Sequence, residues 1–325
     1  MEAGFFAMVA VASTALVGVV RRIAVAQGVI DHPSARGSHA TPTPRGGGLG
    51  AIGAILGAFV YLAARTDGPA VLLCIGGCLA VAAVGWLDDR RGLSVRARLA
   101  AHVVAGAAVG ILSLQDSVHG LVRVALFACW AFWTVSSINL VNFMDGINGL
   151  VASQIAIFAG SLMLFRWSAA TSSWYAAALA AGCVGFLPWN FPRARIFLGD
   201  VGSGALGLLV PFVAILVMHE TDIDVMRAHL PLLPLYGDAV VTIARRWRLG
   251  ENLTAPHRSH LYQRMANGGI GHTRVTMLYA AASLGGAIVA HENRPAMRWM
   301  LAGGYVLAIG LVGGIFHRRL RTASS

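Results

Sequence analysis

Residues 142–150 read Asn142-Phe143-Met144-Asp145-Gly146-Ile147-Asn148-Gly149-Leu150, and they break a run that is otherwise apolar, with few polar residues, from Leu121 to Phe165. A carboxylate in or beside a bilayer costs about 2.5–3.5 kcal/mol even on the lenient insertion scale, so Asp145 there asks for a function. Taken alone, the stretch also reads as a simple turn of Asn, Asp and Gly. The same kind of interruption recurs at five other places, all falling on one side of the membrane in the reading below. That recurrence decides the fold class: an all-α, polytopic integral membrane protein with its polar chemistry gathered at one end.

Composition agrees. The 325 residues are 57% hydrophobic and 12% charged, with a mean hydropathy of +0.68, far more apolar than a soluble domain of this length. All 25 basic residues are Arg, and their excess over 14 acidic residues gives +11. In a soluble protein that excess would suggest nucleic acid. Here Arg gathering in cytoplasmic connections accounts for it, and no nucleic-acid partner is expected. Cys74, Cys78, Cys129 and Cys183 all fall in apolar runs, which suits packing rather than disulfides or zinc. Met1 to Val20 lacks a basic n-region and a small-residue cleavage site, and reads as a first membrane helix.

A membrane span needs about 20 apolar residues, with roughly 17 to 25 tolerated. Eleven stretches qualify: 3–20, 47–64, 69–87, 99–114, 121–141, 149–165, 174–190, 202–218, 230–244, 275–291 and 298–316. The ninth holds Pro231, Pro234 and Gly237 and is expected to be broken or bent. Connections 21–46, 88–98, 142–148, 191–201 and 245–274, with the tail from 317, hold 19 Arg; the opposite set holds 6. The positive-inside rule then puts the first set in the cytoplasm, the N-terminus outside and the C-terminus inside. Glu2, Asp67, Asp116, Glu220, Asp222, Asp224 and Glu292 fall outside as ordinary solvated charges. Asp31, Asp88, Asp89, Asp145, Asp200, Asp238 and Glu251 fall on the cytoplasmic side, most in unusual local sequence. No repeat or separate soluble unit stands out, so the whole chain, 1–325, reads as one transmembrane domain whose active-site loops are those connections.

Four further stretches could carry chemistry. Asp31-His32-Pro33 through Arg36, then Pro42-Thr43-Pro44-Arg45-Gly46-Gly47-Gly48, places glycines at a helix start, where backbone N–H groups can approach an anion. A basic loop facing anionic lipid is the alternative. Asp88 and Asp89 end the third span ahead of Arg90, Arg91, Arg96 and Arg98. Neighbours on a helix point about 100° apart, so one carboxylate can face a metal or phosphate while the other anchors to Arg or caps the turn at Gly92-Leu93-Ser94. Asp200, in Phe197-Leu198-Gly199-Asp200-Val201-Gly202-Ser203-Gly204, suits either an N-cap or an oxygen ligand for Mg²⁺. Phe197 suits either base stacking or lipid. Pro256-His257-Arg258-Ser259-His260 reads as a phosphate clamp, Arg binding bidentately, or as a plain basic loop. Asp238, in the broken span, could pair locally with Arg245 or Arg246. Taken together, separated carboxylates and Arg/His loops on one face suit a divalent cation with a diphosphate.

These motifs resemble the polyprenyl-phosphate N-acetylhexosamine-1-phosphate transferase superfamily (glycosyltransferase family 4), whose members include the phospho-N-acetylmuramoyl-pentapeptide transferase and the GlcNAc-1-phosphate transferases that start O-antigen and teichoic-acid synthesis. The resemblance spans about residues 15–290, through Pro42 to Gly47, Leu87-Asp88-Asp89, Asn142 to Gly149, Phe197 to Ser203 and His257 to His260. It implies transfer of a sugar 1-phosphate from a UDP-N-acetyl-sugar to undecaprenyl phosphate in the bacterial inner membrane, with the active site on the cytoplasmic face. By motif match, Asp200 and Asp145 would hold Mg²⁺, for which Mn²⁺ can stand in. Asp88 would align the lipid phosphate with Asp89 in support, and Asn142 and Asp145 would hold the metal-diphosphate region. His257, Arg258 and His260 would take phosphates, and Arg45 and Phe197 would contact substrate. Asn148 stands where much of the family has a second Asp tied to uridine recognition, a departure at the nucleobase. The compact Pro-His-Arg-Ser-His loop and the Pro-Thr-Pro-Arg-Gly-Gly-Gly form lean toward the O-antigen or capsule branch rather than the peptidoglycan one. Membrane lipid is an expected partner, and a homodimer is compatible with the sequence.

The different-class alternative is a transporter or flippase for a lipid-linked solute. Such proteins place binding charges near the midplane at interrupted helices in related halves. Here charges cluster at inner helix ends and no half-to-half repeat is visible. A lipid-phosphate hydrolase is the nearer rival, distinguished by release of inorganic phosphate.

Overall fold

The computed structural model describes residues 2–33, 41–65, 69–114, 119–165, 170–221, 223–255 and 257–322. Arg36, Pro256, Arg166, Asp67, Asp116 and Asp222 lie outside the described residues. The chain is built from α1 (Glu2–Ala26), α2 (Gly48–Ala63), α3 (Pro69–Arg91), α4 (Val95–Leu112), α5 (Gly120–Phe143), α6 (Leu150–Leu164), α7 (Thr171–Asn190), α8 (Asp200–Glu220), a short α9 (Val225–His229), α10 (Leu233–Arg248), a short α11 (Leu261–Met265), α12 (His272–Ala290) and α13 (Pro295–Thr322). The only strands among the described residues are β1 (Ile30–Asp31) and β2 (Thr43–Pro44), an antiparallel pair that sets Asp31 opposite Thr43. This is the all-α, polytopic membrane architecture the sequence implies.

Among the described residues seven helices are long and apolar enough to cross a membrane: Gly4–Ala26, Val71–Arg91, Val95–Leu112, Gly120–Phe143, Asp200–Glu220, His272–Ala290 and Pro295–Phe316. Gly48–Ala63 and Leu150–Leu164 are apolar but shorter. The ninth stretch is broken, as its prolines imply. Leu230–Leu232 is a 3₁₀ turn containing Pro231, and Pro234 sits in the first turn of α10, so the prolines bend the chain ahead of the helix rather than inside it.

α8 is the axis of the fold: 89% of its span is buried, packed among α2, α3, α4, α5, α6 and α7. Lipid tails are as apolar as leucine, so helices associate here through close packing, which small residues allow. Gly202, Ser203, Gly204, Ala205 and Gly207 supply that surface. A Cβ on Gly207 would stand 2.6 Å from Ile138 Cα, and one on Gly85 would stand 2.5 Å from the carbonyl oxygen of Asp200. These contacts draw the end of α3 and the body of α5 onto α8, and so bring Asp88, Asp89 and Asn142 to the start of α8. Cys74, Cys78 and Cys183 are buried free thiols, as packing requires, whereas Cys129 is free and exposed on α5.

Candidate active site

The chain enters α8 through Gly199, whose φ of +76° favours glycine. A side chain there would also place its Cβ 2.7 Å from Asp89 Oδ2. Asp200 is the first helical residue, and Gly199 takes the cap position without a side-chain hydrogen bond. The N-cap reading of Asp200 is therefore corrected: its carboxylate is not engaged by the helix end. It lies within hydrogen-bonding reach of Asp88 and 4.0 Å from Arg98 Nη1. Asp88 accepts the Leu93 N–H through Oδ1 at 2.5 Å and Arg98 Nη1 through Oδ2 at 2.7 Å, closing the turn at Gly92 and fixing the guanidinium. Asp89 points elsewhere, and its side chain is only 4% exposed. It pairs with Arg45 Nη2 at 2.6 Å, beside the backbone amides of Asp200 and Val201. The divergence of adjacent residues on a helix is thus realised, with Asp88 toward open space and Asp89 as a buried anchor.

The amides of Gly47 and Gly48 are already engaged by the backbone. The N–H of Gly47 donates to the Phe197 carbonyl at 2.8 Å, that of Gly48 to the Leu198 carbonyl at 2.9 Å, and that of Phe197 to the Pro44 carbonyl at 2.8 Å. The expectation of free amides at this helix start is corrected: they tie the segment to 197–198. Gly48 also lets α2 meet α8, since its Cβ would stand 2.6 Å from Gly202 N. The consequence is positional, because Arg45 is carried to the mouth of the site.

Asn142 donates to Ser203 Oγ at 3.2 Å, joining α5 to α8. Gly146 lies under Tyr262, whose ring carbons would be 3.1 Å from a Cβ there, so the motif needs glycine for close approach. The Gly149 N–H donates to Asn190 Oδ1 at 2.6 Å, and Asn190 Nδ2 donates to the Ile196 carbonyl at 2.9 Å. Asn148 donates to the Pro192 carbonyl at 3.1 Å, a bond an ionised Asp could not make. Asp145 is half-buried. Burial, then the charges of Asp200 and Asp89, push its carboxyl well above the usual range, against the pull of Arg45.

Two cavities meet here. The larger, about 370 Å³, is lined by Asp88, Arg98, Asn142, Asp200, His257 and His260 together with Val81, Val84, Val95, Leu99, Phe143 and Leu253. The smaller, about 180 Å³, is lined by Asp31, Arg45, Asp145, Asn148, Asn190, Phe197, Asp200 and His272. Asp200 and Gln263 line both. Asp89 and Arg258 line neither; Arg258 sits half-buried in its loop. Sequence reading missed Gln263, Asn190, His102 and Asn139, the last two lining the larger cavity, since isolated amides and a histidine in apolar helices give no motif.

His257 Nδ1 accepts the Ser259 N–H at 3.3 Å and lies 2.9 Å from Ser259 Oγ. That fixes the tautomer with the proton on Nε2. Burial, with His260 and Arg246 nearby, lowers its pKa to about 4, so the ring is neutral at pH 7. His260 is 2% exposed and stacks between Phe143 and Tyr262, at centroid distances of 6.3 and 5.8 Å.

The donor set fits a hard divalent cation. Asp88, Asp89, Asp145 and Asp200 sit within electrostatic range of one another, with Arg45 and Arg98 as their close guanidinium partners. All the candidate ligands are oxygens, which suits Mg²⁺ or Mn²⁺ rather than zinc. Among the described residues no three Asp, Glu, His or Cys side chains form a metal cage. Mg²⁺ suits that arrangement, since it usually takes one or two carboxylates and completes its shell with water and substrate phosphate.

Comparison with known proteins matches residues 71–218 to the family model "Glycosyl transferase family 4". The chain is 31% identical to the decaprenyl-phosphate N-acetylglucosaminephosphotransferase of Mycobacterium tuberculosis (strain ATCC 25618 / H37Rv), across 80% of this chain and 74% of that relative. It is 31% identical to the undecaprenyl-phosphate alpha-N-acetylglucosaminyl 1-phosphate transferase of Thermotoga maritima, across 78% of each. Identity is 28% to the phospho-N-acetylmuramoyl-pentapeptide-transferase of Rhodococcus jostii, across 62% of this chain and 70% of that one.

Proposed function

The chain belongs to glycosyl transferase family 4, and on that premise we propose that it transfers an N-acetylhexosamine 1-phosphate from a UDP-sugar to undecaprenyl phosphate, giving undecaprenyl-diphosphate-sugar and UMP. N-acetylglucosamine is the sugar to test first, because the names of its relatives carry it. The reaction is the first membrane step of a cell-surface polysaccharide, run on the cytoplasmic face of the bacterial inner membrane. The observation that carries this reading is the junction of two unlike cavities at Asp200. The larger suits the acceptor, with an aliphatic wall for a polyprenyl chain beside Arg98 and two histidines for its phosphate. The smaller suits the nucleotide, with Phe197 to stack on the base and Arg45 near the diphosphate.

A phosphate monoester has its second pKa near 6, so about nine-tenths of the acceptor is dianionic at neutral pH. It needs little help from a base. An acceptor oxygen attacks the β-phosphorus directly, the bond from that phosphorus to the bridging oxygen breaks, and UMP leaves with the electron pair. Asp88 acts mainly by holding Arg98, which meets the acceptor phosphate. Mg²⁺ held by Asp145 and Asp200 would supply charge neutralisation on the diphosphate.

The test is UMP release by detergent-purified protein given undecaprenyl phosphate, Mg²⁺ and a panel of UDP-N-acetyl sugars. UMP from one sugar, dependent on lipid and cation, is the expected result. No UMP from any of them, with lipid phosphate still bound, would move the reading to another nucleotide donor or to transport. UMP released before lipid is added, or a phospho-sugar trapped on the protein, would replace direct attack by an aspartyl intermediate.

A further inference from the structure

Asp238 lies on α10, outside both cavity linings, with its side chain 3% exposed. It does not pair with Arg245 or Arg246. Its Oδ1 accepts the Leu261 N–H at 2.8 Å and the Thr242 hydroxyl at 3.2 Å; its Oδ2 accepts the Tyr262 N–H at 3.0 Å and the Tyr279 hydroxyl at 2.8 Å. His260 Nδ1 stands 3.8 Å from Oδ1. One carboxylate thus collects donors from α10, α11 and α12 at the point where the histidine loop ends. Tyr262 carries the placement onward, donating its hydroxyl to the Phe143 carbonyl at 3.0 Å at the end of α5.

The other end of the loop is held by the same helix. Arg246, two turns along, donates to Glu251 Oε2 at 2.7 Å and to the Asn252 carbonyl at 2.7 Å. α10 therefore brackets residues 251–262 with an anion at one end and a cation at the other. A charged hydrogen-bond network of this kind is worth most when every member is satisfied, because the buried donors have no water to turn to.

We propose that Asp238 is a positioning residue for the acceptor phosphate: by fixing the chain at His260–Tyr262 it sets His257 and His260 into the wall of the larger cavity. This rests on the assignment of that cavity to the acceptor. An Asn at 238 keeps the shape but replaces one acceptor oxygen with an N–H₂, which would face a backbone N–H or a hydroxyl already donating. The loop would lose its register while the helices, which bury their own surfaces independently, would not.

The experiment compares wild type, Asp238→Asn and the double variant Thr242→Val/Tyr279→Phe, which keeps the charge but strips two of its hydroxyl donors. Two readouts are taken: KM for undecaprenyl phosphate against KM for the UDP-sugar, and the rate at which diethyl pyrocarbonate modifies His260, read by mass spectrometry. For Asp238→Asn the acceptor KM is expected to rise about tenfold or more, the donor KM to stay within about threefold, and His260 modification to speed by about tenfold. The double variant should move the same readouts in the same direction by a smaller factor, and it decides the matter if the Asn variant does not fold. An unchanged acceptor KM with His260 still protected, or both KM values rising together, would overturn the proposal. Labelling needs no turnover. If no sugar gives UMP, faster His260 labelling still supports positioning by Asp238 and unchanged labelling overturns it, while the acceptor assignment falls with the function.

Discussion

The two cavities that meet at Asp200 are made of different material. The larger takes an aliphatic wall from α3 and α4, Val81, Val84, Val95 and Leu99, beside polar groups of the same two helices, Asp88, Arg98 and His102. The smaller carries three Asp, two Asn, Arg45, Gln263 and His272 in its lining, with Phe197 as its aromatic surface. A substrate that never leaves the bilayer needs the first kind of wall, and one arriving from water needs the second. On the proposed reading the contrast puts the chemistry at the wall they share, so substitutions should sort by cavity.

Asp200→Asn is the largest effect expected. It removes a carboxylate common to both cavities and should lower kcat by about a hundredfold to a thousandfold, as loss of a group that stabilises developing charge does, with no preference for either KM. A variant that raised one KM alone at normal kcat would place Asp200 in a single subsite and break the comparison.

Phe197→Ala comes next. Stacking on a base is worth about 1–3 kcal/mol, so the KM for the UDP-sugar should rise roughly tenfold or more while the acceptor KM stays fixed. Steady-state kinetics with each substrate varied in turn read this directly, and a shift in the acceptor KM would mean the cavities are assigned the wrong way round. Leu99→Ser sharpens the other side. Losing about one methylene's worth of contact with the chain, about 0.8 kcal/mol, should raise the acceptor KM about fourfold and leave the KM for the UDP-sugar unchanged.

Some of this was legible in the sequence, for reasons that particular residues make plain. A carboxylate in apolar sequence is conspicuous, so Asp88, Asp145 and Asp200 announced themselves, and the period of a helix alone separated Asp88 from Asp89. Burial inside a bilayer was not legible. α8 and α13 have similar spans by hydropathy, 2.3 and 1.8, yet 89% of one and 6% of the other is buried. Glycines do not tell them apart either, since α13 carries Gly303, Gly304, Gly310, Gly313 and Gly314. The amides of Gly47 and Gly48 looked available because their acceptors, Phe197 and Leu198, lie about 150 residues away. Asp238 seemed to answer the nearby Arg245 and Arg246, but its partners Leu261, Tyr262 and Tyr279 come from other elements. Long-range pairing of polar groups leaves no periodicity to read.

The smallest effect expected concerns how the larger cavity meets a phosphate, and it turns on a sign. His257 has a pKa of about 4 in the fold, against an ordinary value near 6.5. Between those two values the unfolded chain binds the extra proton and the folded one does not, so stability contributed here is intact above about pH 6.5 and declines as pH falls toward 4. Burial is the main cause, followed by the charges of His260 and Arg246 beside the ring; a proton on Nδ1 would also displace the Ser259 N–H that donates to it. His257→Gln cannot titrate, so its thermal midpoint should fall less steeply than that of wild type between pH 7.5 and 5. The difference between the two curves isolates this residue from the other buried histidines. If His257 instead gripped phosphate as an imidazolium, its folded pKa would be raised and wild type would gain on the variant as pH fell. The expected slope leaves the cationic part of phosphate binding in the larger cavity to Arg98, with His257 contributing a neutral Nε2–H.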